Sequence, residues 1–283
     1  MIDVHVHVTN AKLPGIKAEH PMLDGPEPPL ADALKGEMKR AGVDQILAMG
    51  RLDPPASDPL GIAGIVRLAS FVPGLHAIGA IDPTKTSSDH LQAVEAVLKA
   101  GKVQALKAYL GYRPFGPDHA GYLPYYELAK TYKMPVVFHT GDTYSTTAKL
   151  KYAHPLLVDD VAVDHPEVRF VMAHFGNPWL MDAAAVVYKN PNVWADLSGL
   201  IIGDEALFAG HFQARTPIRE INDAILDVRK ALIYTGKFDR FLFGSDWPLA
   251  PMASYRKLVE MIVPKESHQA VFEDNAKALF GLS

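Results

Sequence analysis

Five side chains in this 283-residue sequence could hold a divalent cation, and each lies in or at the end of a hydrophobic run. His5 and His7 are two apart in IDVHVHV, so the period of two along a strand points both imidazoles to one face. Polar rings in an apolar strand need partners, because burying them unpaired costs free energy. A pair of hydrogen-bonded core histidines would satisfy that need, and so would a cation. His139 ends PVVFHT, His174 ends FVMAH and Asp246 ends FLFGSD, each before a Gly, Thr or Pro turn. Cysteine is absent, which excludes disulfides and thiolate metal sites and leaves imidazole and carboxylate as the donors. Three or four such ligands around an open position make a catalytic Zn²⁺-type site, and Mn²⁺ suits the same donors.

These residues can meet only if the elements carrying them share one end of a sheet. Strand-like runs occur at 2–8, 43–49, 76–82, 103–110, 135–140, 168–174, 192–197 and 240–246. Eight units in 283 residues leave about 35 residues each, the size of a strand plus a crossover helix. Leu30, Ala33, Leu34, Met38 and Ala41 form one helical stripe ended by Gly42, and Leu91, Val94, Val97 and Leu98 form another ended by Gly101. Strands alternating with such helices pair in parallel, and eight of them predict an α/β fold: a single (β/α)₈ TIM barrel over residues 1–283. Its metal site is expected at the C-terminal ends of the strands. An open nucleotide-binding sheet would want a glycine-rich turn after an early strand, whereas the first strand runs into TNAKLP. Residues 9–29 and 51–59 read as long loops, and 199–235 as an excursion that is helical from Ile218 to Ile233.

Together the motifs HxH, VVFHTG, MAHFG, GSDWP and the terminal NAKALFGL resemble the amidohydrolase superfamily. The similarity is greatest to its amidohydrolase-2 branch, which includes aminocarboxymuconate semialdehyde decarboxylase and related metal-dependent hydrolases. It runs from His5 to Leu282. What the resemblance implies is a barrel with one divalent metal, Zn²⁺ before Mn²⁺, on His5, His7, His139 and Asp246. His174 then becomes a catalytic or second-metal residue. Lys107, in ALKAYL, stands where binuclear members carry a carbamylated lysine that bridges two metals; as a free amine it would contact substrate beside one metal.

The expected activity is hydrolysis of a small ester, lactone or amide by a water activated on the metal. Asp246 would take the proton and His174 would polarise the carbonyl. A metal-dependent decarboxylase of a small unsaturated carboxylic acid is the alternative on the same site. Arg51, Tyr109, Tyr112, Arg113, Asp142, Trp179 and Trp247 are candidate substrate contacts, with Thr140 and Asn177 nearby; the arginines would hold a carboxylate. Asn275 is expected to tie the C-terminal segment to the barrel. With 28 Lys and Arg against 32 Asp and Glu, the net charge of −4 argues against a nucleic-acid partner. No apolar run is long enough for a membrane span. The first strand begins at the N-terminus, leaving no secretory signal and a cytoplasmic expectation. The partner is a small molecule, with a homo-oligomer formed through 199–235 as a further option.

Overall fold

The computed structural model describes residues 1–16, 20–213 and 219–283. Eight parallel strands pair in chain order: β1 Ile2–Val6, β2 Gln45–Met49, β3 Leu75–Ile81, β4 Ala105–Ala108, β5 Val136–Phe138, β6 Phe170–Met172, β7 Val193–Asp196 and β8 Phe241–Leu242. The segment beyond β8 returns to β1. Val4 N donates to Phe243 O (2.9 Å), Asp246 N donates to His5 O (2.9 Å) and His7 N donates to Trp247 O (2.7 Å). These bonds close the sheet into the expected (β/α)₈ barrel, in which no edge is left for another chain to pair with.

Ten helices surround it among the described residues: α1 Glu27–Ala41, α2 Ala63–Ala69, α3 Ser88–Lys99, α4 Leu123–Thr131, α5 Leu156–Asp164, α6 Leu180–Lys189, α7 Glu205–Gln213, α8 Arg219–Thr235, α9 Met252–Ile262 and α10 Asn275–Phe280. None of the described helices is long and apolar enough to cross a membrane. α1 buries Leu30, Ala31, Leu34, Met38 and Ala41 and stops where Gly42 turns left-handed (φ 66°), its N–H capping the carbonyls of Lys39 and Met38. α3 starts at Ser87, whose side chain accepts from His90 N, and buries Val94 and Leu98.

Strand parity decides what the barrel encloses. Ile2, Val4, Leu47, Met49, Ile78, Ala105, Val137, Val171 and Leu242 form its inner apolar cluster. Ile46, Ala48, Leu106, Phe138, Phe170 and Phe241 pack outwards with the helices. β1 carries an irregularity: Asp3 is opposite Ile46 and Val6 opposite Ala48, so three steps of β1 match two of β2. The extra residue changes parity. It lets Ile2 and Val4 fill the floor while His5 and His7 line the mouth above. Asp3 braces the bulge by accepting from His5 N (3.1 Å) and Ser245 N (3.0 Å) through Oδ1.

The sequence-based boundaries err mainly at strand ends. β8 leaves the ladder after Leu242, because residues 243–247 bond to β1 and Phe243 N donates to Val271 O (3.0 Å). The expected loop at 9–29 contains a short helical turn, Pro21–Asp24, and the start of α1, whose first turn tolerates proline. The helix start expected at Ile218 lies outside the described residues, and α8 continues to Thr235. Asn275 does tie down the C-terminal segment: its Nδ2 donates to Phe238 O and Phe241 O, each at 2.8 Å. Asn275→Ala is expected to lower unfolding free energy by about 1–3 kcal/mol, read from urea denaturation, because two carbonyls lose their donor.

Candidate metal centre

His5 and His7 reach the mouth from β1, and Asp246 from the seam opposite. One donor atom from each of the three lies within 4.8 Å of the others, and all three residues are buried. His7 Nε2 is 3.3 Å and His5 Nε2 3.8 Å from Asp246 Oδ1. That oxygen is buried and accepts no hydrogen bond. Asp246 holds this position with φ 61°, a conformation unusual for a residue with a side chain.

The partners of these groups fix which atoms face inwards. Asp196, the last residue of β7, accepts from His5 Nδ1 at 2.9 Å, which leaves Nε2 as the lone pair. The same carboxylate accepts the backbone N–H of His174 (3.0 Å) and of Ser198 (3.0 Å) and the Ser198 hydroxyl (2.5 Å). With its proton given to Asp196, Ser198 Oγ accepts from His174 Nδ1 (2.9 Å), so Nε2 of neutral His174 is also a lone pair. His174 follows β6 in a left-handed turn (φ 62°), with its ring 4.8 Å from that of His5 and 5.0 Å from that of His139.

Burial sets the charges. It pushes His5 down to about 4, with Lys107 adding to the fall and Asp196 opposing it. It also lowers His139 well below the ordinary imidazole value, aided by His174, and lowers His174 itself. For Asp246, burial alone would raise the pKa; the hydrogen bond from His7 and the nearby rings of His174 and His5, which would be charged at the low pH where this carboxyl titrates, outweigh it, so the carboxylate is ionised. Lys107, on β4, is 1% exposed, and its Nζ has no hydrogen-bond partner among the described residues. Burial brings its ammonium down to about 8, against the pull of Asp196 and Asp246. The imidazoles of His5, His139 and His174, kept neutral by burial, the ionised carboxylates and an orphaned carboxylate oxygen make a cluster that fits a borderline divalent cation.

The cluster floors a pocket walled by Leu13, Ile16, Tyr109, Tyr112, Tyr144 and Leu249. A neighbouring hollow shares His139, Tyr144, His174 and Asp246 and adds Asp142 and Asn177. His139 therefore lines the site, although its Nε2 is engaged by Asp142 O (2.9 Å) and its nitrogens lie outside the 4.8 Å group. Thr140 ties the end of β5 to Ala173 O (2.6 Å). Tyr109 and Tyr112 line the pocket and Asp142 the neighbouring hollow. Four further candidates line neither. Arg51 lines a separate cavity. Arg113 is held by Asp53 (2.5 Å) and Asp82 (2.9 Å), because two acids from neighbouring loops converge on it. Trp179 packs on His154 at 4.7 Å beside a hollow of its own. Trp247 is buried with Val6 and Val8 in the outer layer, its side chain following the parity set by the seam. The residue that sequence reasoning undervalued is Asp196. Its signal, an acid ending a strand, was present, but its partners come from β1 and β6.

A family model described as Amidohydrolase matches residues 2–282. The chain belongs to the amidohydrolase family. No curated protein matches the chain. Solved structures with the same fold include an amidohydrolase from Burkholderia multivorans with bound zinc (18% identity, 100% of this chain and 99% of that one, TM-score 0.67). A probable 2-pyrone-4,6-dicarboxylic acid hydrolase from Acinetobacter baumannii follows (16%, 99% and 98%, 0.63). A dihydroxybenzoic acid decarboxylase from Polaromonas sp. with bound manganese is similar as well (15%, 99% and 96%, 0.65).

Two measurements test this arrangement in the amidohydrolase. Asp196→Asn, which withdraws the charge that orients His5, should weaken Zn²⁺ or Mn²⁺ binding about 10- to 100-fold in metal titrations. In metal-stripped protein, stability should fall as pH drops below about 6.5. There the unfolded chain protonates His5, His139 and His174 while the folded chain does not, and Asp3, raised by burial to about 7, offsets only one of these protons. Urea denaturation at pH 7.5 and pH 5 measures the difference.

Proposed function

We propose that this amidohydrolase is a metal-dependent hydrolase of small esters, lactones or amides. The observation that carries the reading is the buried His5, His7 and Asp246 group, with Asp246 Oδ1 unbonded, at the floor of an open pocket. A Zn²⁺ or Mn²⁺ ion held there by His5, His7 and Asp246, with His139 as a further donor, would supply Lewis acidity and an acidified water.

The chain's own groups divide the remaining work. Asp246 is ionised at neutral pH and can accept a proton. His174 presents Nε2 as a lone pair, because Ser198 engages Nδ1. It is thus set to accept a proton rather than to polarise a carbonyl, the reverse of the role expected from sequence. A cationic donor in the pocket is Lys107, whose ammonium is mostly charged at pH 7 and can steady anionic oxygen on the substrate. A substrate carboxylate, assigned from sequence to Arg51 or Arg113, would be met by Lys107 as well, since neither arginine lines this pocket. The aromatic and aliphatic walls exclude water and suit a compact, flat substrate.

The lyase reading uses the same groups, and one feature favours it: a charged Lys107 beside apolar walls would hold an aromatic or unsaturated carboxylate. A panel of lactones and esters against unsaturated carboxylic acids, followed by acid release and CO₂ release, separates the two. Acid release without CO₂ is the expected result. His7→Ala should lose the metal and lower turnover by more than about 100-fold, beyond what a residue outside the ligand set would cause. Metal analysis should give one equivalent; two would assign Lys107 as a carbamate shared with a second site at His174.

A further inference from the structure

A second cavity lies on the other side of the loop that walls the metal pocket, and its lining is rich in hydrogen-bond donors. Along residues 10–13 alternate side chains face opposite ways. Asn10 and Lys12 line the second cavity, whereas Leu13 lines the metal pocket and Ala11 packs with it. The partition between the two is an apolar cluster of Ala11, Leu13, Leu52, Tyr109 and Tyr112. No lining residue is shared by the two cavities.

Three residues that line this second cavity each carry a buried polar atom with no hydrogen-bond partner among the described residues: Asn10 Nδ2, Thr9 Oγ1 and Arg51 Nε. Asn10 is 5% exposed, and its orientation is fixed because Oδ1 accepts from Lys12 N at 3.0 Å, leaving the amide NH₂ unbonded. A buried amide without an acceptor costs free energy, which an occupant could relieve. The Lys12 and Arg67 side chains also line the space, Arg67 with its Nε on Glu27 (2.6 Å). The one carboxylate in the lining, Asp58, is already engaged by the N–H groups of Ile62 (2.9 Å) and Ala63 (3.0 Å). The unfilled groups are thus two N–H donors and a hydroxyl, in a positively charged surround.

We propose that this cavity is a binding site for a small oxyanion, a carboxylate or a phosphate, separate from the metal pocket. The anion would accept from Asn10 Nδ2, Arg51 Nε and Thr9 Oγ1, joining the loop after β1 to the loop after β2. Because the opposite side of the same loop walls the metal pocket, occupancy would also stiffen that wall. The assignment is independent of the reaction proposed above.

Calorimetric titration of the intact protein with inorganic phosphate and, separately, malonate tests it, with sodium chloride at matched ionic strength as control. Saturable binding of at least one of the two is expected, together with a higher unfolding temperature that chloride does not reproduce. Asn10→Asp, which places an acceptor and a negative charge where the unbonded donor stands, should abolish binding. Arg51→Gln should weaken it about tenfold or more. Lys12→Gln, on an exposed side chain, should weaken it with the fold intact and keeps the test valid if the buried variants unfold. Absence of saturable binding by both anions, or equal binding in wild type and all folded variants, would overturn the proposal.

Discussion

The main-chain bonds between β1 and residues 243–247 do two jobs with one set of atoms. They complete the hydrogen bonding of a sheet that would otherwise end in open edges, and they bring Asp246 against His5 and His7. Asp246 N donates to His5 O, so the backbone contact that joins first and last strands also fixes the separation of two candidate ligands. The geometry of the centre therefore depends on the seam. Asp3 reinforces it from beneath, accepting N–H groups from both sides.

Asp196 is the second organising group, and its role follows from electrostatics. A buried carboxylate persists only where hydrogen bonds and opposite charge offset its desolvation. Here the donors are His5 Nδ1, the Ser198 hydroxyl and two backbone amides, and they hold its pKa well below the usual carboxylate range despite burial. In return it sets the tautomer of His5 directly and that of His174 through Ser198. One carboxylate thus decides which nitrogens of two histidines face the pocket.

The same loops form two environments. After β1 the chain turns apolar side chains to the metal pocket and polar ones to the cavity behind it. That is why Arg51, which follows β2 as expected, faces away from the metal centre. The residue type was suited to an anion, but the direction of its side chain depended on the packing of Leu52 and Ala11 in the partition.

Much of this protein was legible from residues alone. Apolar runs of strand length, separated by amphipathic stripes ended at Gly42 and Gly101, specified alternating strands and helices, because burial periodicity is a local property. His5, His7, His139, His174 and Asp246 could be singled out because polar groups ending such runs are costly without partners. Other features depended on residues distant in sequence. The bulge in β1 that allows Val4 and His5 both to point inwards follows from pairing with β2. The place of Asp196 beneath His5 spans 191 residues, and the pairing of Arg113 with Asp53 and Asp82 follows from loop packing. Sequence pattern fixes which face of an element is apolar; which polar groups meet across the mouth of a closed barrel is set by strand register and loop packing, which exist only once the whole sheet has formed.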